Sequence, residues 1–210
     1  KSFSPQKKFE FKSHRDSLYL PHATSLRMSD IGYQPAGQSK LYFSLNSISE
    51  YSSQLKLATK ENSPQFHKID SEKTAEFTQL NSNILQIEDE YYGSSRPKSS
   101  MSSEDRPSSK LLEGIDYIEL RSIDIDPFSR LGIEEDTMKF MSLLVLLCAY
   151  RDSPRISKSE MYEIKKNDLD VALEGRKEGL ELMKNNKHIG IREWGIQIIE
   201  EMSSLIETLK

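Results

Sequence analysis

The chain has 210 residues, with 33 Asp and Glu against 29 Lys and Arg, a net charge of −4 that is spread along it. That balance lacks the basic patch of a nucleic-acid binder. Its one cysteine, Cys148, excludes an internal disulfide and fits a reducing cytoplasm. The opening stretch KSFSPQKKFEFKSHRDS has no apolar core of a signal peptide, and the run FMSLLVLLCAY (residues 140–150) is too short to cross a bilayer. The chain begins at Lys1, which reads as a processed protein or a piece of something longer.

In chain order, LYLPHATSLRMSD (18–30) mixes extended-type residues with a proline and leads into a turn-rich stretch. Ser47 and Glu50 form a capping box ahead of Ile48, Tyr51, Leu55 and Ala58, which predicts a helix over 47–59. Residues 60–78 are polar and read as a surface excursion. LNSNILQIEDEYY (80–92) is a strand candidate with Leu85 and Ile87 on one face. Residues 93–110 contain eight serines and two prolines in 18 positions and are expected to form a mobile loop. The central strand, GIDYIELRSIDID, follows and ends at Asp126-Pro127. A helix from Glu134 to Tyr150, with acidic residues in its first turn, is apolar on nearly every side and expected to be deeply buried, Cys148 with it. Residues 168–184 read as helical, and Trp194 to Leu209 as an amphipathic final helix. The layout is α+β, strands first and helices behind, with a sheet domain over 1–150 and a helical region over 151–210 packing on it.

The chemistry concentrates in few places. There is no P-loop, no GxGxxG, no HExxH and no paired CxxC, and the four histidines are scattered. Side chains alternate along a strand, so Glu119 and Arg121 share a face with Ile115, Tyr117, Ile123 and Ile125. Two readings stand. The pair is inert on a wet face; or the strand is covered on both sides, Glu119 binds a hard cation and Arg121 clamps phosphate or carboxylate. Arg27, ahead of a glycine turn, either presents a cation to an anion or pairs with Asp30. Tyr91 and Tyr92 stand at the mouth of the serine-rich segment.

Together, LPHATSLRMSDIGY, LNSNILQIEDEYYGSSRPK, LLEGIDYIELRSIDIDPFSRLGI and LEGRK closely resemble the bacterial glutamate–cysteine ligase family of the gamma-proteobacterial type. The resemblance is strong from about residue 20 to 150 and thins beyond. It implies a curved antiparallel sheet similar to that of glutamine synthetase, helices behind it, and a cytoplasmic enzyme using ATP and Mg²⁺. The reaction implied joins the γ-carboxylate of L-glutamate to the amine of L-cysteine, the first step of glutathione synthesis, with no nucleic-acid or membrane partner. It further implies Glu119 as a metal ligand, Arg121 as the catalytic arginine facing phosphate, and Arg27, Tyr33 and Tyr92 around the cysteine substrate, with Arg96 reaching nucleotide phosphate. Family members carry further acidic ligands and a histidine upstream of LPHATSLRMSD. A chain without that half is expected to be inactive alone, or to persist as a non-catalytic remnant or binding module that retains the cysteine pocket.

Overall fold

A computed structural model of the chain describes residues 10–29, 32, 43–64, 66–67, 80–100 and 106–210. Tyr33 lies outside the described residues. The chain divides into two compact units, Asp30–Ser122 and the pair of segments Lys1–Ser29 with Ile123–Lys210. This grouping puts residues 123–150 with the C-terminal helices, whereas the sequence reading set its boundary after residue 150.

In the first of these units, helix α1 (Ile48–Ala58) begins where expected, because the Ser47 hydroxyl accepts from the Glu50 N–H at 3.1 Å. Its inner face, Tyr51, Leu55 and Ala58, builds a core with Phe43, Leu85 and Leu111. The strand expected over 80–92 does not form. The Asn81 carboxamide accepts from the Asn83 N–H at 2.9 Å, and Asn83 donates to the Thr59 carbonyl at 2.6 Å. These side chains turn the backbone instead of letting it extend. They deliver Leu85 into the core, fully buried, before a 3₁₀ turn over Glu88–Glu90.

Of the serine-rich segment expected as a mobile loop, residues 101–105 lie outside the described residues, and two of the described stretches are regular. Ser95–Lys98 is strand β3, paired antiparallel with β4 (Tyr117–Leu120), and Pro107–Lys110 is a single helical turn, α2. The anchor is polar: fully buried Ser108 donates its N–H and its hydroxyl to the Glu88 carboxylate at 2.7 and 2.6 Å. The central strand is shorter than its pattern, four residues, and it is not covered on both sides. Ile115, Tyr117 and Ile118 are each more than half exposed.

In the other unit, hairpin β1 (Lys12–His14) and β2 (Ser17–Tyr19) precedes a 3₁₀ turn, Leu26–Met28. Helix α3 (Glu135–Tyr150) packs through Leu143, Leu144 and Leu147 on Ile198, Met202 and Leu205 of α5 (Ile191–Thr208). The expected deep burial of α3 is not found: Leu147 is its one buried residue, and Phe140, Leu146, Tyr150 and Cys148 are exposed. One neighbouring helix covers one stripe, so an apolar circumference leaves the rest in solvent. The helix expected over 168–184 lies earlier, as α4 (Lys158–Glu174), started by a complete Ser157–Glu160 capping box. The residue that follows it, Gly175, is glycine for a steric reason. A Cβ there would come within 2.5 Å of the Thr24 methyl and of the Val171 carbonyl, where Thr24 docks by donating to that carbonyl. Leu182 then belongs to a hairpin, β5 (Glu181–Lys184) and β6 (Lys187–Gly190), and Leu180 directly precedes it. Asn185 and Asn186, at φ 53° and 60°, make its two-residue turn, which needs positive φ at both positions.

The described fold is thus mixed helix and strand, with three separate two-stranded antiparallel sheets. No described helix is long and apolar enough to cross a membrane.

Candidate functional site

Strand β4 presents the residues singled out from the sequence. Its register with β3 sets Glu119 directly across from Arg96. The Arg96 guanidinium is 6% exposed and donates in four directions: Nε to Glu119 Oε2 at 3.1 Å, Nη1 to the carbonyls of Asp89 at 3.1 Å and Tyr91 at 2.7 Å, and Nη2 to Asp89 Oδ1 at 3.4 Å. A guanidinium has five N–H donors, so four acceptors nearly exhaust it. Lys98, two residues on, reaches the same Asp89 carboxylate at 2.9 Å. A buried charge must be compensated, and this arginine is compensated within the chain.

Glu119 keeps 38% of its side chain in solvent despite the ion pair. Two positions along the same face, Arg121 donates its backbone N–H to the Ser94 carbonyl at 2.8 Å. Its guanidinium lies over the Tyr92 ring, with Cζ 4.3 Å from the centroid. Such a stack restricts a flexible cation while leaving its in-plane N–H groups directed away from the ring. Glu119, Arg121 and Tyr92 therefore come together, and Arg96 stands behind Glu119.

Tyr51 joins the group from α1. Burial pushes its phenol up to about 12; the Arg96 cation opposes the shift, and the carboxylates of Asp89, Glu119 and Glu88 add to it. Beside it lies a cavity of about 20 Å³, lined by Tyr51, Glu88, Arg96, Lys98, Pro107 and Leu111. That is room for about one water molecule and far below the volume of a nucleotide.

Arg27 belongs to the other unit. Its Nε donates to Asp124 Oδ1 at 2.7 Å, and Nη2 to the Ile123 carbonyl at 3.3 Å. Asp124 is thus an observed partner where the sequence offered Asp30, which lies outside the described residues. The buried Ser25 hydroxyl closes no well-formed hydrogen bond, yet its nearness to Asp124 is the largest influence holding that carboxyl below the usual range, followed on the same side by Arg27. The sequence reading missed Asp124 and the Asp89–Lys98 pair. Acidic residues at those places were visible in IDID and EDE, but their partners lie 97 and 9 residues away.

Among the described residues no three His, Cys, Asp or Glu side chains gather as a metal cage. Glu119 offers one exposed hard oxygen donor. That fits Mg²⁺, which is commonly held by one or two carboxylates together with substrate phosphates and water.

The family model described as glutamate–cysteine ligase matches residues 1–171. The glutamate–cysteine ligase of Shewanella oneidensis is 41% identical over 195 residues, 92% of this chain and 37% of that protein. That of Alcanivorax borkumensis is 38% identical over 197 residues, 91% of this chain and 38% of that protein. The crystal structure of glutamate–cysteine ligase from Francisella tularensis in complex with AMP superposes with a TM-score of 0.82 at 32% identity, over 88% of this chain and 37% of that one. The chain thus spans little more than a third of the length of these relatives.

Proposed function

We propose, since this chain belongs to the glutamate–cysteine ligase family, that it supplies one part of an ATP-dependent ligase making γ-glutamylcysteine from L-glutamate and L-cysteine in the cytoplasm. The observation that carries the reading is the constellation at the end of β4: the partly exposed Glu119 carboxylate and, one residue past the strand, the Arg121 guanidinium over the Tyr92 ring. The AMP in the Francisella structure supports a nucleotide as co-substrate.

In this chemistry the γ-phosphoryl group of ATP passes to the glutamate γ-carboxylate, releasing ADP. The cysteine amine then displaces phosphate from the acyl phosphate and loses a proton. Bound Mg²⁺ would neutralise phosphate charge, with Glu119 among its ligands. Arg121 gives a fixed positive charge toward phosphoryl oxygens, and its ring stack means that little reorganisation is needed as charge develops. Tyr92, beneath Arg121, borders the cysteine. The resemblance assigns Arg27, in the other unit, to substrate binding, and there its guanidinium is held by Asp124. The two-stranded β3–β4 ladder is one piece of a larger curved sheet, like that of glutamine synthetase, completed by the ligase length this chain does not span.

The test is phosphate release from ATP with glutamate and cysteine, measured with this chain alone and with the remaining length of a relative supplied. Release that requires both amino acids and the supplied length is expected. If Glu119→Gln and Arg121→Ala leave release in that mixture unchanged, the site assignment is wrong. If no mixture releases phosphate, the reading gives way to a binding module, which retains cysteine without turnover.

A further inference from the structure

Arg96 is the most heavily engaged side chain on β3, and its bonds tie a stretch five to seven residues before it to one 23 residues after it. One stretch is β4 with Glu119. The other is the Asp89–Tyr91 backbone, whose two carbonyls accept from Nη1. Tyr92 is the next residue in the chain, and its ring carries the Arg121 guanidinium. A reach into nucleotide phosphate would need donors that this guanidinium has already committed.

We infer that Arg96 is a positioning residue: one buried guanidinium orients the Glu119 carboxylate and, by fixing the Asp89–Tyr91 backbone, sets the Tyr92 ring on which Arg121 lies. The inference rests on the ligase reading only for what Glu119 and Arg121 do with substrate. The geometric claim is independent of it. A planar fork is essential to this arrangement, because only a guanidinium donates at once toward β4 and to the Asp89 and Tyr91 carbonyls. Lysine would keep the charge and lose the geometry.

The experiment uses the 210-residue chain without nucleotide or metal, so its outcome does not depend on ligase activity, which the phosphate-release assay judges separately. Nitrogen-15 arginine NMR of the unaltered chain is expected to show the Arg96 Nε–H exchanging at least about a hundredfold more slowly than that of exposed Arg130, as a buried ion-paired donor should. In Arg96→Lys, amide exchange at residues 89–92 and at 121 should rise by about tenfold or more, the loss expected for a charge-assisted bond. The Arg121 side-chain resonance should also lose the ring-current shift imposed by Tyr92. Ala58→Gly, a change in α1 that loosens the same unit, should leave the Arg121 resonance where it was. An Arg96 Nε–H as labile as that of Arg130 overturns the inference even if the lysine variant fails to fold. So does an Arg121 resonance unmoved in a folded Arg96→Lys chain.

Discussion

Replacing Glu88 by Gln asks whether a serine-rich segment with scarcely any apolar side chain is held by one buried carboxylate. Glu88 is 8% exposed and accepts twice from Ser108, at 2.7 Å from the N–H and 2.6 Å from the hydroxyl, while Ser108 is fully buried. Hydrogen bonds to a charged group contribute about 1.5–3 kcal/mol each, against about 1 kcal/mol for neutral pairs. Glutamine keeps one carbonyl acceptor for the N–H, and the hydroxyl can rotate to accept from the new NH₂. The loss is then mainly charge assistance, about 2 kcal/mol. In Glu88→Ala both Ser108 donors are left buried without a carboxylate, at a cost of about 3–5 kcal/mol. Ser108→Ala removes only the hydroxyl and should cost about 1–2 kcal/mol. For a unit of this size the glutamine variant should lower Tm by about 10 °C. Exchange at the Leu111 amide, which bonds to the Pro107 carbonyl, should accelerate with it. The double-mutant cycle of Glu88→Gln with Ser108→Ala should give a coupling of about 1–2 kcal/mol. Strictly additive losses, or unchanged exchange at Leu111, would refute the idea that this pair fixes the segment.

Tyr51 predicts a pH window. Its phenol titrates near 12 in the fold and near 10 when unfolded, so between those values the unfolded state binds fewer protons and stability falls as pH rises, by up to about 3 kcal/mol. Ultraviolet titration should find one late tyrosine that Tyr51→Phe removes; a chain in which every tyrosine ionises near pH 10 contradicts this. Glu119→Gln should destabilise the chain by about 1–2 kcal/mol even without metal, because buried Arg96 loses a charged partner that is itself partly solvated. A melting temperature equal to that of the parent would mean that this pair contributes nothing. Cys148 is exposed, so maleimide should label it in the folded chain at a rate within about tenfold of a free thiol. Strong protection would put it back in a core.

What could be read from the sequence was whatever depends on near neighbours. The helix after Ser47 was legible because the cap, the glutamate three residues on and the apolar spacing all agree. The final helix was legible from its apolar spacing alone, the stripe of Ile198, Met202 and Leu205. Residues 80–92 misled because Leu85 and Ile87 alternate like a strand, while Asn81 and Asn83 spend their side chains on the backbone and bend it. The Ser157–Glu160 box stands in the sequence, but the helix it opens is rich in Lys and Glu and shows only a weak apolar stripe, so periodicity does not mark it. In the site, period two sufficed to put Glu119 and Arg121 on one face. Arg27 meeting Asp124 and Arg96 meeting Glu119 are pairings at long separation, which no local pattern encodes.

Strand β4 sets out why charge sits among apolar side chains there. The charges at and just past its end are answered within the unit, Glu119 by Arg96 across the ladder and Arg121 by the Tyr92 ring. The apolar positions around them are not answered in the same degree: Ile115 and Tyr117 stay 51% and 55% exposed on that face, and Ile118 56% on the other. Alternation in a sequence records which side chains share a face; it says nothing of what lies against that face. The expectation of cover on both sides therefore carried an assumption about packing partners, in a chain that matches 37% of the length of its Shewanella relative. Electrostatic compensation in this strand is local to the ladder and complete enough to hold the charges in place. Hydrophobic compensation is a property of everything packed against the sheet, and that is where a reading from one strand stops.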